Sequence, residues 1–299
     1  MKILYLALVE MDVHGGPRTH LLEICQNLAN LNNDILILLP AQKVKPHVAG
    51  CRVVTIPFFG FSIVSLVIYY LTISLYLIYY LVRFRPDSIY EREMNNPLPV
   101  IICRIFRKPI IMEVNGSIRD DMKQIKASRL ATDIACLVQR YELKCAGRII
   151  VTGAGLKKML QKEYGLVSDK VFVVDNGVNT ELFHPMDRNE CRERIRLNTE
   201  KFYLGFAGTF HPHHDITTLI SALPVIIRSN PDVYLVLVGK GLTLDEAKRR
   251  ASELGIDNRV IFRGSVPYDE MVYYINGFDI SILTANEIKL NREGISSFK

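Results

Sequence analysis

The first 31 residues, MKILYLALVEMDVHGGPRTHLLEICQNLANL (residues 1–31), decide the fold class of this chain. An apolar run over Lys2–Val9 predicts a buried strand, and a loop with two glycines then leads into a helix over about Pro17–Leu31. The runs Ile35–Leu39 and Arg52–Ile56 predict two further strands. Strands that alternate with helical patterns are typical of an α/β protein with a doubly wound parallel sheet.

The same rhythm continues along the 299 residues and then starts again. In the first half, SIYERE, KPIIMEVNG, RIIVTGA and VFVVDNG predict strands, and a long amphipathic segment over about 120–145 and a stretch near Leu156–Tyr164 predict helices. In the second half, FYLGFAG, VYLVLVG, RVIFRG and DISILTA predict strands, with helices from about Asp215, over Leu244–Leu254 and over Tyr268–Ile275. The polar segment FHPMDRNECRERIRLN separates the halves. We therefore predict two Rossmann-like domains, residues 1–185 and 186–299, that face each other across a cleft.

Between the first strands lies FFGFSIVSLVIYYLTISLYLIYYLV (residues 58–82), which has no charged residue and is long enough to cross a bilayer. Predicted strands lie on both sides of it and must join one sheet, which a membrane crossing would divide. Its polar residues recur at three- and four-residue steps and form a weakly polar stripe: Ser62, Ser65, Tyr69, Thr72, Tyr76, Tyr79 and Arg83. We predict a crossover helix over about 60–82, packed partly on the sheet and partly in a membrane interface. A wholly buried helix and a spanning helix are the alternatives.

Charge is distributed unevenly between the two halves. Residues 1–185 contain 22 Lys and Arg against 16 Asp and Glu, whereas residues 186–299 contain 15 of each kind, so the net charge of +6 lies in the first half. A basic, apolar half suits an anionic membrane surface or an acidic substrate. The six cysteines are scattered, which favours reduced thiols. With no signal-peptide pattern, we expect a cytoplasmic protein, peripheral at the inner face of the membrane, without a nucleic-acid partner.

The loop after the first strand is a candidate ligand site. Gly15 and Gly16 let a ligand approach the backbone, and Pro17 suits the first turn of the following helix, whose free N–H groups favour a phosphate or a sugar hydroxyl. A tight strand-to-helix turn is the alternative. The loop is neither a P-loop nor a dinucleotide fingerprint, and the second strand ends without the acidic residue of a dehydrogenase.

Other candidate residues also follow strands. Glu113, Asn115 and Gly116 lie at the carboxyl end of the strand IIMEVNG, where open α/β sheets bind ligands. Asn115 either orients a ligand hydroxyl or caps the turn. In the second half, Asp215 is a candidate N-cap, and His211, His213 and His214 crowd the same helix start. No carboxylate or cysteine spacing supports a metal site there, so we interpret these histidines as donors towards a diphosphate. Together with the glycine loop at residues 239–241, these strand ends predict a cleft for a phosphorylated ligand.

Four segments resemble a known family in their order and spacing: HGGPRTHLLEICQNLA, VVDNGVNTELFHP, FAGTFHPHHDITTLISALP and VGKGLTLDEAKRRASELGIDNRVIFRGSVPYDEM. They are similar to the retaining GT-B glycosyltransferases of family 4, also called group 1, and the resemblance covers essentially the whole chain. It implies that a sugar moves from a nucleotide-diphosphate sugar to an acceptor with retention, without a metal or other cofactor. The acceptor would lie against the first domain and the nucleotide against the second. With the apolar helix, this favours a lipid-linked or cell-surface polysaccharide acceptor.

The resemblance also implies roles for individual residues. Asn115 stands where many members have a histidine close to the reacting sugar, and His214 and Glu293 are further catalytic candidates. Gly15 and Gly16 match the loop near the acceptor and the phosphate. The residues implied in donor binding are Gly208, Thr209, Phe210, His211, Gly239, Lys240, Gly241, Arg263, Gly264, Val266 and Lys299. No metal ligand is implied.

Two features depart from the family pattern. Many relatives place Arg and Lys in the diphosphate loop, where this chain has Phe210 and a histidine, so either His211 or His214 substitutes or the site is weakened. The final EGISSFK resembles the start of a turn after which the family continues, so we expect a second domain that is incomplete, with four strands in its sheet. The alternative function is a silent or truncated member that binds a nucleotide or protein partner without turnover.

Overall fold

The computed structural model describes residues 1–12, 15–124 and 126–286. The chain divides into two compact units, with the main boundary between Asn176 and Gly177. We predicted this boundary near Pro185, inside the polar segment; the division falls before that segment begins.

The first unit contains one sheet of seven parallel strands, as the alternating pattern predicted. The strands are β1 (Lys2–Leu6), β2 (Asp34–Pro40), β3 (Cys51–Ile56), β4 (Ser88–Arg92), β5 (Ile110–Val114), β6 (Arg148–Val151) and β7 (Val171–Val173). Their order is β3-β2-β1-β4-β5-β6-β7, so the chain changes direction across the sheet between β1 and β4. Open α/β sheets bind ligands at such a switch point, outside the carboxyl ends of the strands.

In the described part of the chain, six helices cover the two faces of this sheet: α1 (Gly16–Asn30), α2 (Ile63–Arg83), α3 (Leu98–Ile105), α4 (Ile118–Gln124), α5 (Arg129–Cys145) and α6 (Ala154–Tyr164). The segment predicted as one helix over about 120–145 is two helices, because the Ser128 side chain accepts a hydrogen bond from the Ala131 N–H and starts α5 afresh. Helix α3 was not predicted. Its sequence carries Pro97 and Pro99, which suit the first turn of a helix.

The exposed side of α2 is apolar. Ser65 and Tyr69 from the predicted polar stripe are buried, and the Tyr69 hydroxyl donates to the Ala7 carbonyl at 3.3 Å. By contrast, Ile63 is 82% exposed and Leu75 is 67% exposed. The alternative of a wholly buried helix is therefore wrong. Among the described residues, α2 is long and apolar enough to cross a membrane, which by itself is weak evidence for a membrane span.

The second unit contains four described strands, all parallel: β8 (Phe202–Ala207), β9 (Val233–Val238), β10 (Val260–Gly264) and β11 (Ile280–Ser281), in the order β10-β9-β8-β11. Its helices are α7 (Arg188–Arg194), α8 (Ile216–Ser229), α9 (Leu244–Glu253) and α10 (Met271–Gly277). The two parallel sheets with alternating helices confirm the predicted fold class.

Helix α7 lies in the polar segment that predicted only a connection between domains. Asp187 caps it by accepting from the Glu190 N–H at 2.9 Å. Arg192, which is 3% exposed, donates to the carbonyls of Gly277 and Thr199 and pairs with Asp279. These bonds, together with the buried Cys191, attach this polar helix to the second unit.

Candidate functional site

The loop with Gly15 and Gly16 lies at the carboxyl end of β1, where it begins α1. The Thr19 N–H donates to the Gly15 carbonyl at 3.1 Å, so the helical hydrogen bonding starts at the glycines. Among the described residues, a Cβ built on Gly16 meets no atom within 4 Å, and one on Gly15 meets only the Pro17 ring at 3.9 Å. Neither glycine has a left-handed φ. The described packing therefore gives no steric reason for glycine at these positions. The space next to the first turn of α1 is open.

A buried carboxylate lies at the end of β5, close to Asn115. Glu113 is 1% exposed, and its Oε1 accepts from Asn115 Nδ2 at 2.5 Å. His20 Nε2, on the second turn of α1, lies 2.7 Å from the same Oε1. The Tyr90 hydroxyl, on β4, donates to Oε2 at 2.9 Å. Residues from α1, β4 and β5 thus meet at one carboxylate.

The surroundings of Glu113 keep it ionised. Burial by itself raises the pKa of this carboxyl, but the hydrogen bond and charge of His20, the charge of Arg92 and the hydrogen bond from Asn115 together hold the pKa below its usual value. The Tyr90 ring stacks on Tyr5 of β1, with ring centroids 4.9 Å apart. Burial raises the pKa of Tyr90, and the adjacent Glu113 charge raises it further, so its hydroxyl remains a donor. The sequence marked Glu113 and Asn115 at this strand end but gave a role only to Asn115, and it did not mark His20 or Tyr90.

In the second unit, the structure brings together the three glycine loops at the carboxyl edge of the sheet. The Gly208 N–H donates to the Val238 carbonyl at 2.9 Å, and the Gly239 N–H donates to the Gly264 carbonyl at 2.8 Å. The Phe210 N–H donates to the Lys240 carbonyl at 2.9 Å. The loops after β8, β9 and β10 therefore form one connected backbone platform.

Two glycines are required by this platform. Gly239 has a φ of +138°, and a Cβ there would lie 1.8 Å from the Gly208 carbonyl oxygen. Gly241 has a φ of +157°, and its Cβ would lie 2.5 Å from the Phe210 carbonyl oxygen. Because only glycine tolerates both the backbone conformation and the close approach, these residues hold adjacent loops in contact.

Three predicted donor-site residues have structural roles in their side chains. The Phe210 ring is fully buried and packs edge-to-face against Phe206, so it presents no surface to a ligand. The Arg263 guanidinium donates to the carbonyls of Ile195 and Arg196 at 3.0 and 3.2 Å. Val266 packs against a buried cluster of the second unit.

The three histidines differ in exposure. His214, predicted as catalytic, is 4% exposed, and its Nδ1 lies 2.5 Å from the Thr209 carbonyl, so its ring holds the loop that contains it. His211 and His213 are half-buried, with ring centroids 4.3 Å apart. Asp215 caps α8, as predicted, by accepting from the Thr218 N–H at 3.4 Å. The surface that this loop offers to a ligand therefore comes from the exposed Thr209 and Pro212 and the half-buried His211 and His213, and not from His214.

Residues after β11 also reach this loop, although no sequence signal marked them. The Asn286 N–H donates to the His213 carbonyl at 2.9 Å, and the Thr284 hydroxyl bonds to the His214 carbonyl. Lys240 is exposed on the neighbouring loop. Glu293 and Lys299 lie outside the described residues. Within residues 1–12, 15–124 and 126–286, no group of three His, Cys, Asp or Glu side chains is arranged to hold a metal ion.

The sequence profile of Glycosyltransferase Family 4 matches residues 14–182, and that of Glycosyl transferases group 1 matches residues 187–296. The chain belongs to glycosyltransferase family 4. The resemblance given by the four sequence segments is confirmed, and the fold is that of the GT-B glycosyltransferases.

Curated relatives carry related activities. Over 179 residues the chain is 26% identical to D-inositol 3-phosphate glycosyltransferase of Streptomyces scabiei, a match that covers 56% of this chain and 39% of that protein. It is 26% identical over 284 residues to phosphatidyl-myo-inositol mannosyltransferase of Mycobacterium tuberculosis, covering 87% of this chain and 66% of that protein. The chain thus spans less than two thirds of the length of these relatives.

Solved structures show the same fold at low identity. Sucrose-phosphate synthase from Thermosynechococcus elongatus superposes with a TM-score of 0.73 at 16% identity, covering 97% of this chain and 78% of that one. Anabaena HepE in complex with UDP-glucose superposes with a TM-score of 0.70 at 17% identity, covering 98% of this chain and 78% of that one.

Proposed function

We propose that this glycosyltransferase moves a sugar from a nucleoside-diphosphate sugar to an acceptor, with retention at the anomeric carbon and without a metal ion. The observation that carries the proposal is the platform of three glycine loops at the carboxyl edge of the second sheet. It places backbone, the start of α8 and the exposed Lys240 at the edge where α/β sheets bind phosphorylated ligands. The nucleotide sugar bound by the structural neighbour HepE supports this choice of donor.

The chemistry requires that negative charge be stabilised on the departing diphosphate. Glycosyl transfer passes through an oxocarbenium-like transition state, so the leaving group gains charge as the sugar departs. Lys240, the two half-buried histidines His211 and His213, and the positive end of α8 are the groups of this unit that would interact with that charge. At the other sheet, Asn115 and the Gly15-Gly16 loop would orient the hydroxyls of the reacting sugar and the acceptor.

A direct assay follows nucleotide release from UDP-glucose, GDP-mannose and ADP-glucose, with and without a bacterial lipid extract as the acceptor source. We expect one donor to turn over in the presence of the extract, with EDTA leaving the rate unchanged. NMR of the purified product would show the anomeric configuration of the donor. Inversion would contradict the retaining mechanism, and a rate abolished by EDTA and restored by Mg²⁺ would contradict metal independence.

Lys240→Ala provides the site-specific version of this assay, and Lys162→Ala, an exposed lysine on α6, is its control. Because Lys240 carries the positive charge on the platform, its loss is expected to weaken donor binding by about tenfold, the effect of one charge-assisted hydrogen bond. Equal donor affinity in the two variants would exclude Lys240 from the donor site. Tight nucleotide binding without any turnover would instead favour the silent family member.

We further propose that the first unit acts at the inner face of the cytoplasmic membrane, on a lipid-linked or polysaccharide acceptor. The outer side of α2 exposes only apolar or weakly polar residues before Arg83, including Ile63, Val64, Leu71 and Leu75. Such a surface is stabilised when it enters the boundary between headgroups and acyl chains. A continuous apolar surface along a whole helix, as on the outer side of α2, is unusual for a protein surface in water.

A second helix on the same side of the sheet supports this location. Helix α3 contacts both α2 and α5, and α5 exposes Leu130, Ile134, Leu137 and Tyr141 along one stripe. Exposed basic residues accompany these apolar surfaces: Arg83, Arg85, Arg104, Arg107, Arg140 and Lys144. Each basic residue near an anionic bilayer contributes about 1 kcal/mol of attraction. The apolar stripes and the positive charges together match an anionic lipid surface.

Vesicle sedimentation tests the membrane proposal. The wild type is expected to sediment with phosphatidylglycerol vesicles and to bind phosphatidylcholine vesicles at least tenfold more weakly. Leu75→Asp should abolish sedimentation, whereas Val225→Asp, which changes an equally exposed apolar residue on α8 in the second unit, should not. Equal sedimentation of both variants would refute this surface. Protease protection of one flank of α2 would show a spanning helix instead.

A further inference from the structure

The carboxylate of Glu113 sets which atom Asn115 presents to a ligand. An asparagine amide has a donor end and an acceptor end, and only the NH₂ end is compatible with a carboxylate oxygen at 2.5 Å. The Oδ1 of Asn115 therefore points away from Glu113. Asn115 is half-buried at the end of β5, so its remaining acceptor lies at the edge of the sheet where ligands bind.

Four elements hold Glu113 itself in place. Its backbone belongs to β5, and its carbonyl accepts the Glu93 N–H at 3.0 Å. Its two oxygens are bound from different directions, Oε1 by Asn115 and His20, and Oε2 by Tyr90. The Tyr90 ring is fixed by its stack on Tyr5. With 1% exposure, the side chain has no room for a second rotamer without leaving these partners.

The same oxygen connects two of the predicted site loops. His20 lies one helical turn after Gly16, so its contact with Glu113 fixes the start of α1 relative to the end of β5. Because the same carboxylate oxygen pairs with His20 Nε2 at 2.7 Å and accepts from Asn115, the position of one residue depends on that of the other. His20, on the second turn of α1, and the Asn115 amide therefore share one anchoring oxygen.

We propose that Glu113 is a positioning residue for sugar transfer, which it supports by orienting Asn115 so that Oδ1 accepts a hydrogen bond from a hydroxyl of the reacting sugar. This inference rests on the proposed function. Glu113 does not touch the substrate, and it acts through Asn115. As a turn cap, Asn115 would use the same oxygen to accept from a backbone N–H of its own chain, and Glu113→Gln would then lower folding stability rather than kcat/KM.

A double-mutant cycle of Glu113→Gln and Asn115→Ala tests the coupling. Asn115→Ala and Glu113→Gln are each expected to lower kcat/KM by about tenfold to a hundredfold. Asn115→Ala removes the acceptor for the sugar hydroxyl, and in Glu113→Gln the glutamine no longer forces the Asn115 amide into one orientation. If Glu113 acts through Asn115, adding Glu113→Gln to Asn115→Ala should lower kcat/KM by less than about twofold more. Tyr90→Phe is the matched control. It removes a bond to the other oxygen and should cost less than Glu113→Gln.

Selective ¹⁵N-asparagine labelling gives a readout that does not depend on turnover. The side-chain NH₂ signal of Asn115, assigned with Asn115→Ala, should show slowed exchange with solvent and should move in Glu113→Gln. If Glu113→Gln does not fold, Glu113→Asp shortens the carboxylate by one methylene and serves in the same cycle. If the kcat/KM losses of the two single variants multiply in the double variant, or if the Asn115 amide of the wild type exchanges fast with solvent, the role of Glu113 is refuted while the proposed function stands. Absence of transfer by the wild type would overturn the proposed function and the inference with it.

Discussion

Replacing Glu142 by glutamine is expected to stabilise the folded chain at alkaline pH. Glu142 of α5 is fully buried. Burial, and next the charge of Glu93, raise the pKa of Glu142 from 4.5 to about 8. Burial also raises the pKa of Glu93 to about 8, and it raises that of the fully buried Glu91 as well. Three carboxyls thus share one buried region of the first unit.

The sign of the pH dependence follows from proton binding. Below pH 4.5 both folded and unfolded states keep Glu142 protonated, so it has no effect on the pH dependence. Between pH 4.5 and about 8 the unfolded chain has lost this proton while the folded chain retains it. Stability therefore falls as pH rises through this window. At 1.36 kcal/mol per pKa unit, the loss from Glu142 approaches about 5 kcal/mol, part of which comes from Glu93.

Urea unfolding followed by far-ultraviolet circular dichroism at pH 5 and pH 8.5 measures the effect. Glu142→Gln should have a free energy of unfolding close to that of the wild type at pH 5, and about 2–4 kcal/mol above it at pH 8.5. Glu181→Gln, which changes an exposed carboxylate, should leave the pH dependence unchanged. If the difference between Glu142→Gln and wild type is the same at both pH values, the buried protonated carboxyl is refuted.

Three further substitutions test other parts of the structure. Arg192→Met should lower the free energy of unfolding by about 2–4 kcal/mol in urea titrations, because it removes a buried guanidinium that bonds Asp279 and the carbonyls of Gly277 and Thr199, while Arg188 still pairs with Asp279; a loss below 1 kcal/mol would contradict the attachment of α7. Gly239→Ala should cost about 2–4 kcal/mol in the same titrations, since its Cβ would overlap the Gly208 carbonyl, and an unchanged midpoint would disprove that contact. Gly16→Val should change the free energy of unfolding by less than about 1 kcal/mol, because the added side chain enters open space in the described structure. It should lower the transfer rate at least tenfold, and a normal rate would show that this loop is not part of the site.

The strands could be predicted because their buried, near-continuous apolar runs are a local property of the sequence. Runs such as DILILLP and VYLVLVG match β2 and β9 closely. Helix α7 could not be predicted, because it is fixed by Arg192 and Asp279, which are far apart in sequence and meet only in the folded unit. The same holds for the candidate site. Asn115 stands out at the end of a strand, whereas His20 and Tyr90 become relevant only once α1, β4 and β5 are adjacent.

The solvent exposure of individual side chains also could not be predicted from the sequence. His211, His213 and His214 are equivalent in sequence, but the fold buries His214 against Phe206 and leaves surface on the other two. The polar stripe of α2 did not indicate which side of the helix faces the protein. Ser65 and Tyr69 face the protein, because the Tyr69 hydroxyl finds a backbone carbonyl there.

Thermal unfolding in the presence of UDP, GDP or ADP tests most directly whether the second unit is a nucleotide-sugar site. A ligand that binds only the folded state adds about 2.7 kcal/mol at a concentration of 100 Kd, which is a shift of several degrees in the midpoint. We predict that one of the three nucleotides raises the midpoint of the wild type, and that Lys240→Ala reduces the shift while Lys162→Ala does not. Unchanged midpoints with all three nucleotides at millimolar concentration would contradict the proposed donor site.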